Sequence, residues 1–243
     1  MSSTVAQLTA RSLLGRRRVL LLLLLPAILL LLSLTFRLVG GIGQDTTLAV
    51  LDGLALGIGV PLLALIAGAG AIGPEIDDGS IVYLLSKPVS RLTIVGSKLS
   101  VAVAVVIAAA AVPTLLAGRV LTGGVEGLPI AYGVGAAIAG ISYCAVFLLL
   151  AVLTRNAVIV GLIYALIWES LIGGFVPGAQ VLSIRQWALA ISERILGADA
   201  APLGVQAAVS LGAAVPLLLA VTIGAALYAG VRLRGLKLTT NET

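Results

Sequence analysis

Short polar breaks divide the chain into six runs of mostly apolar residues, at about 19–36, 48–73, 99–121, 130–153, 157–176 and 203–231. No other feature narrows the possible folds so much. A bilayer's hydrocarbon core is ~30 Å thick and takes about 20 apolar helical residues to cross. Within it every backbone polar group has to find its partner inside the protein, which favours helices. The chain is 60% hydrophobic and only 10% charged, with a mean hydropathy of +1.20. A soluble domain cannot hide that much apolar surface. The expectation is an all-α integral membrane protein of six transmembrane helices, with residues 1–243 forming a single transmembrane domain.

The first run follows Arg11, Arg16, Arg17 and Arg18 and carries Pro26. Its core is longer than the 7–15 residues usual in a signal peptide and lacks a small-residue cleavage site, so it is read as a span. The second run holds Gly53, Gly57, Gly68 and Gly70, small residues that let a neighbouring helix approach closely.

Basic residues set the orientation. Placing the N terminus inside puts Arg11, Arg16, Arg17, Arg18, Lys87, Arg91, Lys98, Arg155, Arg232, Arg234 and Lys237 in the cytoplasm and leaves Arg37, Arg119, Arg185 and Arg194 outside. This bias predicts that both termini are cytoplasmic. The net charge of +5 therefore reflects loop anchoring rather than a nucleic-acid partner. The partner it implies is membrane lipid.

Two polar stretches stand out. The first is Pro74–Lys98, longer than a bare connector needs to be. Asp77 and Asp78 are suited to starting a short helix over 79–86, which Pro88 would end. Ser90 is placed to cap the next helix from Arg91. Two readings stand: a solvated kinked loop, or a surface helix offering the patch around Tyr83 and Leu84 to a soluble partner. Arg91 and Lys98 would anchor it against anionic headgroups. The second stretch is Pro177–Pro202. Ser183 and Gln186 form a capping-box pattern, and Ile184, Trp187, Ala188, Ile191 and Ile195 share a helical face, with Arg185, Ser192 and Glu193 towards another. It predicts an amphipathic helix in the outer interface with Trp187 at headgroup level, the alternative being a partly buried re-entrant connector.

No catalytic constellation is present. The phosphate-loop pattern is missing, since Gly96-Ser97-Lys98 lacks a glycine directly before the lysine. One cysteine and no histidine exclude an internal disulfide and a Cys/His metal cluster. The chain is not expected to be an enzyme, to hold a metal or to bind a cofactor. Acidic residues within spans are costly and are functional candidates by default. Glu169 lies about 12 residues, or roughly 18 Å of helix rise, into the fifth run, and Asp52 is near the start of the second. Either they line a translocation path or gate, or Glu169 pins its helix by pairing with Arg119 or Arg37 or by meeting interfacial water.

The series Glu75, Gly79, Tyr83-Leu84-Leu85-Ser86-Lys87-Pro88-Val89-Ser90-Arg91 and Lys98 resembles the loop after the second span of type-2 ABC exporter permeases, with Ser80 where that family often has Thr. The resemblance covers about twenty-five residues, and the six-span layout extends it along the chain. It implies that this loop is a cytoplasmic coupling helix touching a separate ABC ATP-binding subunit. Glu75, Asp77, Asp78, Gly79, Tyr83, Leu84, Pro88 and Arg91 are then the coupling candidates. It further implies an exporter of the cell membrane, a bacterial inner membrane protein, working as a homodimer or paired with a similar permease, with ATP and Mg on the partner. The competing class is a self-contained secondary transporter driven by an ion gradient, which needs a midplane ion or proton site.

Overall fold

The computed structural model describes residues 8–10, 15–40, 43–80, 90–123, 127–173 and 176–234. Among these residues there is no strand. The helices are α1 (Arg16–Val39), α2 (Gln44–Asp77), α3 (Arg91–Thr122), α4 (Leu128–Leu153), α5 (Ala157–Ile172), α6 (Pro177–Gln180), α7 (Ile184–Leu196) and α8 (Leu211–Arg234).

Among the described residues five helices, α1 to α4 and α8, are long and apolar enough to cross a membrane, and α5 is a shorter apolar helix. The fifth run, expected to be helical to Val176, is helical through Gly173, and residues 174–175 lie outside the described residues. The sixth, expected from Leu203, begins at Leu211. Conversely, α2 and α3 run past the bounds read from hydropathy, because their polar ends, Glu75 to Asp77 and Arg91 to Lys98, stay helical.

Two long helices change winding in front of a proline. α2 is π-helical over Ala49–Gly59 ahead of Pro61, and α3 over Ile107–Ala111 ahead of Pro113. Proline has no N–H to donate, and its ring clashes with the carbonyl four residues back. Widening the preceding turn moves that carbonyl aside without ending the helix. α5 is also π-helical, over Tyr164–Ile172, with no proline to account for it.

α4 is the central helix, packed by α2, α3, α7 and α8. Its contact with α2 depends on Gly68. A Cβ there would stand 2.8 Å from the carbonyl oxygen of Cys144 and 3.1 Å from its Cα. The two backbones meet with nothing between them, the geometry that small residues allow in membrane bundles. Gly53 faces open space instead, so of the second-run glycines it plays no such part. The outer faces of α1, α5 and α8 present Leu20, Leu23, Leu31, Ile159, Ile163, Leu219 and Ile223, each more than half exposed. In water such faces would cost ~25 cal/mol per Å²; against acyl chains they cost little.

Candidate functional site

The bundle has two polar centres, one at each end. The first joins the ends of α2 and α3 that flank the 81–89 stretch. Lys98 is fully buried, and its Nζ donates to Glu75 Oε1 at 2.6 Å and to the Ala71 carbonyl at 2.7 Å. Burying an ammonium is costly unless it is paired and hydrogen-bonded, and here it is both. This corrects the expectation that Lys98 anchors the segment against lipid headgroups: it is a strut inside the protein. Nearby, Arg18 Nη1 donates to the Gly70 carbonyl at 3.1 Å, bringing the start of α1 to the same end.

Asp77 is the last residue of α2 and Asp78 follows it as the C-cap, both exposed. Gly79 then turns the chain with φ of +70°, a left-handed conformation that glycine adopts without steric cost. So Asp77 and Asp78 end α2, and Gly79 and Ser80, expected to open the next helix, are not helical. Ser90 behaves as expected: its Oγ accepts from the Thr93 N–H at 3.1 Å, capping α3 ahead of Arg91. Tyr83, Leu84 and Pro88, with most of the helix expected over 79–86, lie outside the described residues.

The second centre lies where α7 meets α2, α4 and α5. Glu169 is fully buried. Its Oε1 accepts from the Tyr143 hydroxyl, from Ser183 Oγ at 2.8 Å and from the Arg185 backbone N–H at 2.6 Å. Ser183 Oγ in turn accepts from the Gln186 N–H at 3.3 Å. Half of the expected capping box is therefore present. Its other half is not formed: Gln186 Oε1 accepts from Ala208 N–H at 3.2 Å, the Ser183 N–H donates to the Gln180 carbonyl at 3.1 Å, and a glutamate from another helix takes the Arg185 N–H at the N-terminus of α7. A carboxylate belongs at that end by charge, since the unsatisfied N–H groups there carry partial positive charge.

The Arg185 side chain goes elsewhere. Nε and Nη2 meet Asp52 Oδ1 and Oδ2 at 3.1 and 2.5 Å, a two-pronged pair of the kind a planar guanidinium makes with a carboxylate. Ser170, next to Glu169, donates to the Gly57 carbonyl of α2 at 2.9 Å. The structure thus brings both sequence candidates, Asp52 and Glu169, to one residue: Arg185 holds Glu169 with its main chain and Asp52 with its side chain. Neither Arg119 nor Arg37 holds Glu169. The Arg37 guanidinium lies against Gly123.

α7 covers the helical residues that the sequence pattern predicts, but it is packed inward. Trp187 is buried and donates from Nε1 to the Val181 carbonyl at 2.7 Å, so it does not sit among headgroups. Ser192, expected on the polar side, is buried and donates to Ala131 of α4 at 2.9 Å. Glu193 Oε2 accepts from Ala207 N–H at 2.9 Å and holds the connector to α8. The connector reading of 177–202 therefore describes it better than the interfacial one. Tyr143, Ser183 and Arg185 escaped sequence reasoning as partners. The available signal was that each charge within the bundle needs an opposite charge or a donor.

Among the described residues no group of His, Cys, Asp and Glu is arranged to hold a metal ion. A family model described as ABC-2 family transporter protein matches residues 33–229. No curated relative matches the chain by sequence.

Proposed function

From the premise that the chain belongs to the ABC-2 family of transporter proteins, we propose that it is the membrane-spanning permease subunit of an exporter driven by a separate ATP-binding subunit. Two such bundles, identical or similar, enclose the substrate path. ATP and Mg bind on the partner, and the 81–89 stretch with Glu75, Asp77, Asp78, Gly79 and Arg91 at its flanks receives the motion. Both termini face the cytoplasm of a bacterial cell, and the chain lies in its inner membrane. Asp52 and Glu169 belong to the outward half, where they hold α7 as a plug that has to shift for cargo to leave.

The observation that carries this reading is the Lys98–Glu75 pair. It fastens the two helices on either side of the receiving stretch, so a push there moves α2 and α3 together. A flexible loop would lose the motion instead.

The test is purification of the tagged full chain from its native membrane. A phosphate-loop ATPase should come with it, and Tyr83→Asp with Leu84→Asp should release that ATPase while the permease stays folded. Retention of the ATPase by the double variant would defeat the coupling assignment. Transport by the purified chain alone, driven by an ion gradient, would establish the secondary-transporter class instead.

A further inference from the structure

A cavity of about 450 Å³ opens at the end of the bundle where Lys98 meets Glu75, between α1, α2, α4 and α5. It falls within the ~300–1,000 Å³ typical of small-molecule sites. Its composition is divided along its length. Arg18, Asp77, Thr154 and Arg155 line the end nearest the helix termini, and leucines and valines such as Leu21, Leu65 and Val158 line the rest. Leu21 and Val158 are at least half exposed on the outer faces of α1 and α5, so the cavity is open sideways, towards the acyl chains.

We propose that this cavity holds one anionic phospholipid, its phosphate between Arg18 and Arg155 and one acyl chain along the apolar wall. Charge selects the headgroup. Arg155 is exposed and makes no ion pair among the described residues. Arg18 spends one N–H on the Gly70 carbonyl, and a guanidinium has five. Asp77 is the single opposing charge in the lining, so the balance favours an anion. Length fits as well: from Arg18 to Leu25, both on the lining, the α1 wall rises roughly 10 Å, a stretch of acyl chain continuous with the surrounding leaflet. A free phosphate would find the arginines but leave the apolar wall wet. A zwitterionic lipid would fill the wall but bring a cation to the arginines. The site is independent of the cargo; it shares Asp77 with the proposed coupling segment and ties α1 and α5 to that end of α2.

The experiment is native mass spectrometry of the delipidated full chain with equimolar phosphatidylglycerol and phosphatidylcholine. Phosphatidylglycerol should be retained about fivefold over phosphatidylcholine, since each of the two arginines contributes about a fivefold preference and Asp77 offsets one of them. R155Q changes an exposed side chain and should fold normally while lowering the ratio about fivefold. D77N should raise it, an outcome that a merely structural Asp77 would not give. Millimolar inorganic phosphate should leave the bound lipid in place. Equal retention of the two lipids, an unchanged ratio in R155Q, an unchanged or lowered ratio in D77N, or displacement by inorganic phosphate would each overturn the proposal.

Discussion

Lys98 Nζ lies 2.6 Å from Glu75 Oε1, and the pair closes the base of the segment between them. The lysine is fully buried while the glutamate keeps 28% of its side-chain exposure. Glu75 Oε2 is buried without a hydrogen-bond partner among the described residues. Removing one member of a buried pair leaves an uncompensated charge, at a cost of about 3–5 kcal/mol, whereas replacing both with apolar groups is often nearly neutral. K98M alone should therefore unfold in detergent well below the wild type, and E75L/K98M should recover most of the loss. If the pair transmits motion, the recovered double variant should still stimulate the partner ATPase poorly. Thermal unfolding followed by tryptophan fluorescence, beside cargo-stimulated ATPase activity, separates fold from coupling.

The same pair shows what a sequence does and does not disclose. Hydropathy marks the spans because burial in lipid is a local demand met by each run separately. It says nothing about which polar groups meet, since that depends on packing between runs. Lys98 at the edge of an apolar run has the look of a headgroup anchor, and only the approach of α2 to α3 shows that it faces Ala71 and Glu75. Asp52 and Arg185 are 133 residues apart in the chain, and no periodic pattern relates them. In α7 the apolar face is legible, but the polar face misleads because Ser192 and Glu193 satisfy backbone groups of the bundle rather than water. Ser90 and Ser183 are legible as caps because a cap acts within three residues of itself.

The Arg185–Asp52 fork predicts a non-conservative outcome for a conservative change. Lysine keeps the charge but lacks the planar pair of donors. R185K should lose much of the interaction, and D52N most of it. The coupling energy from a double-mutant cycle of R185Q and D52N should be about 1–3 kcal/mol, as expected for residues in direct contact. D52R/R185D should be more stable than either single reversal. Denaturation in graded SDS measures every variant, and additive single effects would mean that the fork contributes nothing.

Glu169 is predicted to act on the fold first and on transport through it. Three donors converge on its Oε1: the Tyr143 hydroxyl, the Ser183 hydroxyl and the Arg185 N–H. Glutamine retains an acceptor for one or two of them, so E169Q should cost about 1–2 kcal/mol. Leucine leaves all three without an acceptor, each at ~1–3 kcal/mol when buried, and E169L should accumulate poorly. If the side chain fixes α7 rather than touching cargo, E169Q will transport at the wild-type rate per folded molecule while yield falls. A change in cargo selectivity at unchanged yield would place Glu169 in the path instead.

Close packing of α2 on α4 gives a paired prediction at two glycines of one helix. At Gly68 a Cβ would lie 2.8 Å from the Cys144 carbonyl oxygen, 3.1 Å from its Cα and 3.3 Å from Phe147 Cβ. Two of these three atoms are backbone in the middle of α4, so no rotamer change relieves the contact and the helices have to separate. G68A should destabilise by about 1–3 kcal/mol, the usual cost of overpacking, and G68L by more. At Gly53 a methyl group would meet nothing within 4 Å, and alanine removes the conformational freedom that glycine gives the unfolded chain. G53A should therefore be neutral or stabilise by up to about 1 kcal/mol. Equal effects at the two positions would show that helix propensity, not the approach of the two backbones, governs this helix.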